Sequence, residues 1–242
     1  MGREIELKLP LNEQQFMTIL NLVCGFENNS EISFELPELI YKSDEYYSQY
    51  ENHQERLAKE PRVIRIRTEK TLDNFSSCLK NKSFCEIKSW LIQKQNENSG
   101  DLKAFFTIKT KQIENALEFN KEYETALDDP DVLREFFKKT NFACWFSKQK
   151  IAFGVMVKAV NVEKPQNLQN VENLLFHLEL ELVNGLPYVE IENTQEDVSA
   201  EKVKTGLEDL LKLLNLDKIQ KESRSWVEII NEQNKNYGSK ND

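Results

Sequence analysis

The chain is poor in the residues that anchor several common chemistries. Its four cysteines, Cys24, Cys78, Cys85 and Cys144, form no Cys-x-x-Cys pair in 242 residues. That excludes a sequence-local zinc ribbon and a dense disulfide scaffold, and it fits a reducing compartment. Seven glycines are present, none in a phosphate-loop or dinucleotide fingerprint. Phosphate binding must therefore rely on side chains. The two histidines, His53 and His177, stand alone in the sequence. No run of 18 apolar residues occurs, and the chain opens on a strand pattern rather than a basic and then apolar leader. The expectation is a cytoplasmic protein without a membrane anchor. Positive charge is also in deficit: the net charge of −9 argues against a broad surface for long nucleic acid, which needs clustered outward Lys and Arg.

What is present is a repeated charge pattern. In Glu4-Ile5-Glu6-Leu7-Lys8, a strand would put Glu4, Glu6 and Lys8 on one face and Ile5, Leu7 and Leu9 on the other. The spacing recurs in Arg65-Ile66-Arg67, Lys109-Thr110-Lys111, Glu122-Tyr123-Glu124, Lys148-Gln149-Lys150 and Glu179-Leu180-Glu181. Each of these later stretches repeats one sign at both positions. Outward cross-strand ion pairs account for any single pair, whereas the ordered set points to a closed barrel with a charged lumen.

Strands are expected over 3–9, 38–47, 63–69, 84–93, 104–111, 119–127, 145–157 and 174–183, enough to close a barrel. Residues 28–36 read as a loop and 48–61 as a polar linker. Phe16, Ile19, Leu20 and Val23 follow helical spacing after Asn12, with Gln15 placed to complete a capping box. A second helical stripe, over 131–141, is Val132, Leu133, Phe136 and Phe137. Residues 199–214 form the clearest helix, capped by Ser199, and a last one is expected over 217–234, anchored by Ile219, Trp226, Ile229 and Ile230. The domain boundaries read as one domain over 1–235, an inserted hairpin over 72–103 with a turn at 96–100, and a tail over 236–242.

In order along the chain, these charged stretches, the segment Tyr41-Lys42-Ser43-Asp44-Glu45-Tyr46-Tyr47 and the late Arg224-Ser225-Trp226-Val227-Glu228 resemble the CYTH superfamily, the triphosphate tunnel metalloenzymes. These include class IV adenylyl cyclases, thiamine triphosphatases and inorganic or RNA triphosphatases. The resemblance covers almost the whole chain. It implies an α+β fold, an eight-stranded antiparallel β-barrel with flanking helices, whose tunnel holds a triphosphate between basic side chains and acidic metal ligands. It also implies that Arg224 contacts the triphosphate at the tunnel mouth.

The inward candidates suit that chemistry. Lys8, Arg65, Arg67, Lys109, Lys111, Lys148 and Lys150 would neutralise phosphate oxygens, and Glu4, Glu6, Glu122, Glu124, Glu179 and Glu181 would hold metal. Counted together these groups are nearly neutral, so two divalent cations would offset the bound triphosphate. Hard carboxylate donors point to Mg²⁺ or Mn²⁺. Glu4, Glu6, Lys8, Glu179 and Glu181 are the expected catalytic set. The expected reaction is hydrolysis of inorganic triphosphate or a small organic triphosphate. Cyclisation of ATP to cyclic AMP and pyrophosphate is the alternative, and a non-catalytic module for a phosphorylated ligand is the third reading. The expected partner is a small-molecule triphosphate, with the protein a monomer or homodimer.

Overall fold

The computed structural model describes residues 2–50, 55, 56, 59, 62–72, 75–95, 101–159 and 174–238. Nine strands occur among them: β1 (Gly2–Pro10), β2 (Ile32–Phe34), β3 (Glu38–Ser48), β4 (Arg62–Leu72), β5 (Leu102–Glu114), β6 (Leu117–Leu127), β7 (Ala143–Ala159), β8 (Leu175–Val183) and β9 (Leu186–Asn193). Helices among the described residues include α1 (Glu13–Val23), α2 (Ser76–Leu79), α3 (Phe84–Gln95), α4 (Pro130–Lys139), α5 (Ala200–Leu213) and α6 (Trp226–Gly238). Eight strands close a ring in the order β7-β3-β4-β5-β6-β1-β9-β8 and back to β7, with antiparallel neighbours throughout. β2 lies outside the ring, paired with the end of β7.

The period-2 alternation decides what the ring encloses. Ile5, Leu7 and Leu9 of β1, Leu178, Leu180 and Leu182 of β8, and Val189 and Ile191 of β9 all point outward. They form one buried cluster with Phe16, Ile19 and Leu20 of α1, Phe84, Ile87 and Leu91 of α3, and Val203, Leu207 and Leu210 of α5. Each such side chain, fully withdrawn from water, contributes about 1.5–3 kcal/mol, so the apolar core lies around the barrel and leaves its interior to polar groups. Gly206 of α5 shows how closely the helix lies: a Cβ there would stand 2.3 Å from Leu174 Cδ1. A smaller cluster joins Tyr47, Ile64 and Ile66 to Phe137 of α4, whose ring stacks on Tyr47 at 4.5 Å.

The helix termini follow the sequence signals. Asn12 Oδ1 accepts from the Gln15 amide while Gln15 Oε1 accepts from Asn12 N, completing the capping box of α1. Ser199 caps α5.

Several expectations are corrected. Residues 84–93 are not a strand, and 72–103 is not a hairpin: the described part carries α2 and α3. The Ser83 and Glu86 side chains cap α3 reciprocally, and its buried Phe84, Ile87 and Leu91 recur at helical spacing. The missing eighth strand is β9. It follows β8 through Asn184 and Gly185, both at positive φ, as a two-residue hairpin requires. Residues 28–36 contain β2 rather than only loop, α4 begins at Pro130 behind an Asp129 cap, and Val132 and Phe136 remain exposed on it. The final helix begins at Trp226, not 217, and continues to Gly238, past the expected start of the tail. His53 and the expected turn at 96–100 lie outside the described residues.

Candidate active site

The barrel encloses a cavity of about 350 Å³. Glu4 and Glu6 enter it from β1, where Lys109 Nζ of β5 lies 2.6 Å from Glu4 and 3.1 Å from Glu6. Asn120 Nδ2 of β6 donates to the same two carboxylates. Glu192 of β9 completes a group whose oxygens lie within 4.8 Å of one another. A second group of the same compactness joins Glu179 and Glu181 of β8 to Glu190 of β9. Lys150 Nζ reaches all three, at 2.6, 2.7 and 3.0 Å. β9 sits between β1 and β8 in the ring, so it supplies one carboxylate to each group.

Cations occupy the facing strands. Lys42 of β3 pairs with Glu179 at 2.5 Å. Arg67 of β4 forks onto Asp44 through Nε (2.6 Å) and Nη2 (3.0 Å), and Lys148 stands 3.6 Å from the same carboxylate. Arg65 Nη2 donates to Thr107, Glu122 and Glu124, while Lys111 holds Glu118 at 2.5 Å. The ammonium groups of Lys8 (4.8 Å) and Lys148 (4.9 Å) both lie over the ring of Trp226, in the first turn of α6, and its indole N–H donates to Glu190.

Burial and neighbouring charge divide these acids into two kinds. Glu181 is fully buried; its two oxygens make no hydrogen bond, because Lys150 approaches Oε2 outside hydrogen-bond geometry. Burial, reinforced by Glu190, pushes it up to about 7. Glu192 is also pushed up to about 7 by burial, with Glu4 adding to the shift. Burial and the facing Glu6 do the same to Glu118. Burial acts against ionisation of Glu179 and Glu190 as well, but Lys150 overcomes it, holding Glu179 well below the usual range and Glu190 at about 2. Burial, with Lys150 beside it, lowers Lys148 to about 8.

Of the predicted residues, Glu4, Glu6, Lys8, Arg65, Arg67, Lys109, Lys111, Glu122, Glu124, Lys148, Lys150, Glu179 and Glu181 all come to the barrel interior. Lys8 and Glu181 are buried behind the cavity lining. Arg224 does not join them: Glu222 and Glu232 hold its half-exposed guanidinium, and only its backbone carbonyl reaches inward, accepting from Lys8 Nζ at 2.9 Å. Glu122 and Glu124 stand with Arg65 rather than in either carboxylate group. Sequence reasoning missed Lys42, Asp44, Glu69, Glu118, Glu190 and Glu192. With them included, carboxylates outnumber cations in the lumen, which corrects the expected near-neutrality. Most of the carboxylate and ammonium groups are closely paired, while Glu118, Glu181 and Glu192 also face like charge.

The two acidic groups fit a hard divalent cation, since every donor is a carboxylate oxygen. Glu181, with two buried oxygens lacking a hydrogen bond, gives the strongest indication. No helix among the described residues is long and apolar enough to cross a membrane.

No family model and no curated protein matches the sequence. Solved structures do match the fold. The PH1819 protein of Pyrococcus horikoshii OT3 aligns over 95% of this chain and 99% of its own at 18% identity, with a TM-score of 0.59. HpAC1 of Hippeastrum, a candidate adenylyl cyclase with a dominant triphosphatase activity, aligns over 96% of both chains at 14% identity and a TM-score of 0.54. A candidate adenylate cyclase of Vibrio parahaemolyticus covers 95% of this chain, and 98% of its own chain is covered, at 15% identity and a TM-score of 0.52. At these identities the likeness is one of fold. The chain shares their fold, and that fold is here the closed eight-stranded antiparallel barrel expected from the charged strands.

Proposed function

We propose that the protein hydrolyses a triphosphate inside the barrel with the help of a divalent cation. The observation that carries this reading is the division of one cavity: two carboxylate groups on β1, β8 and β9 face cations on β3, β4, β5 and β7. A triphosphate carries close to four negative charges, and breaking its terminal P–O bond requires charge to be stabilised on the leaving oxygen. Arg65, Arg67, Lys42, Lys109, Lys111, Lys148 and Lys150 would take the phosphate oxygens. The arginine forks suit bidentate contacts. Glu4, Glu6 and Glu192, with Glu179, Glu181 and Glu190, would hold Mg²⁺ or Mn²⁺. When bound, such an ion neutralises phosphate charge and lowers the pKa of a coordinated water. The protein's own part is to align the phosphate chain and to exchange its internal Lys–Glu pairs for Lys–phosphate and Glu–cation contacts. The triphosphatase activity of HpAC1, on the same fold, supports this reading.

Cyclisation of ATP would use the same cations, with the ribose 3′-hydroxyl replacing water and attacking the α-phosphorus. Incubation with tripolyphosphate, ATP and thiamine triphosphate in Mg²⁺ or Mn²⁺ distinguishes the two. Metal-dependent orthophosphate release is expected, and cyclic AMP with pyrophosphate would favour cyclisation. Release of neither product, or turnover unaffected by chelation, would overturn the proposal.

A further inference from the structure

His177 of β8 lines the cavity, yet it belongs to neither carboxylate group. It shares the inward row of Glu179 and Glu181 and faces Glu192 directly across the β8–β9 pairing. There its Nδ1 lies 2.9 Å from Glu192 Oε1. With Glu192 ionised, as a bound cation requires, the carboxylate can only accept, so Nδ1 carries the proton and donates it.

The neighbouring strand leaves space for this ring. Along the inward row of β7 the side chains shrink from Lys150 through Ala152 to Gly154. A Cβ on Gly154 would stand 3.1 Å from His177 Nε2 and press on the ring, so glycine here permits close approach of the imidazole to the strand backbone.

Glu192 also differs from its two companions in how it is held. Lys109 and Asn120 each donate to both Glu4 and Glu6, whereas among the described residues the hydrogen bond to Glu192 comes from His177. A cation entering the group must displace the Lys109 ammonium, because like charges repel at such range. Asn120 and a neutral imidazole bring no charge and can stay, keeping all three carboxylates in place.

We propose that His177 is a positioning residue for the Glu4, Glu6 and Glu192 group: its hydrogen bond fixes the Glu192 carboxylate so that the group takes up a hard divalent cation. The inference rests on a cation occupying this group as proposed above. A side chain that hydrogen-bonds to a metal ligand in this way contributes about 10–100-fold in metal affinity.

Titration with Mn²⁺ alone at mildly alkaline pH, followed by the paramagnetic resonance of the free ion, tests this without turnover. His177→Leu should weaken one Mn²⁺ equivalent by about 10–100-fold. His177→Asn, whose amide nitrogen can stand where Nδ1 stood, should bring affinity back to within about threefold of wild type and guards against misfolding as the cause. In a Glu192→Gln background, His177→Leu should produce no further loss, since the partner through which it acts is already gone. Unchanged Mn²⁺ affinity in His177→Leu, a loss that Asn does not restore, or an equal loss in the Glu192→Gln background overturns the positioning role and leaves the metal reading intact. Failure of the wild type to bind Mn²⁺ overturns both.

Discussion

Replacing Glu181 by Gln should abolish turnover and at the same time stabilise the metal-free protein. The side chain is fully buried, its oxygens make no hydrogen bond, and Lys150, its cationic neighbour, is shared with Glu179 and Glu190. Its carboxyl therefore titrates at about 7 in the folded chain against an ordinary 4.5. Holding it ionised costs the fold on the order of 3 kcal/mol, at about 1.36 kcal/mol per pKa unit. Because the folded value is raised, the unfolded chain releases this proton first as pH rises. The penalty accordingly grows between about pH 4.5 and pH 7 and is constant above that. Gln keeps the size and carries no charge. In chelator, the variant should thus melt roughly 6–12 °C above wild type at pH 8 and close to it near pH 4.5, at about 2–4 °C per kcal/mol for a chain of this length. Saturating Mg²⁺ or Mn²⁺ should reverse the order, since only the wild type gains from the ion. A variant less stable than wild type at pH 8, or a gain equal at both pH values, would show that Glu181 is a needed partner of Lys150 rather than surplus charge.

Further outcomes follow from the same geometry. Glu4→Gln and Glu192→Gln, which alter one carboxylate group from two strands, should each cut turnover by about a hundredfold or more; wild-type rates in both would remove that group from the metal site. Arg65→Ala should raise the KM for triphosphate by about tenfold or more through loss of charge-assisted contacts, and an unchanged KM would place Arg65 outside the binding path. Arg67→Ala leaves Asp44 buried without its fork and should cost about 3–5 kcal/mol in denaturant unfolding, a loss that Asp44→Asn in the same chain should largely restore. A non-hydrolysable triphosphate with Mg²⁺ at one hundred times its Kd should stabilise the protein by about 2.7 kcal/mol, clearly more than Mg²⁺ or orthophosphate alone; equal shifts would return the charged strands to a purely structural role.

The lumen was legible where charge recurred two residues apart inside a long strand, because strand geometry turns that spacing directly into a shared face. Glu190-Ile191-Glu192 carries the same spacing, but its strand becomes visible only once Asn184-Gly185 is taken as a two-residue hairpin turn that separates it from β8. Lys42 and Asp44 share a face too, yet their opposite signs hid them among tyrosines. Residues 84–95 misled for the converse reason: Glu86, Lys88 and Trp90 alternate as a strand would, while the Ser83–Glu86 cap and the spacing of Phe84, Ile87 and Leu91 encode a helix. A β-bulge at Trp145, where Tyr46 opposes Phe146 but Tyr47 opposes Cys144, leaves no periodic trace, since one extra residue shows only against the strand it pairs with.

The position of β9 also bears on how the molecule acquires its tunnel. Lys8 and Glu190 are direct neighbours across the β1–β9 seam although roughly 180 residues of chain separate them, a loop whose closure costs entropy before any contact repays it. Glu179, Glu181 and Glu190 come together within the β8–β9 hairpin, whereas the group of Glu4, Glu6 and Glu192 does not exist until that hairpin docks against β1. Pairing at such separation is slow on the scale of folding events. During refolding, divalent-ion binding at Glu4, Glu6 and Glu192 should therefore emerge together with ring closure as one late kinetic step, after the helices and the local hairpins have already formed.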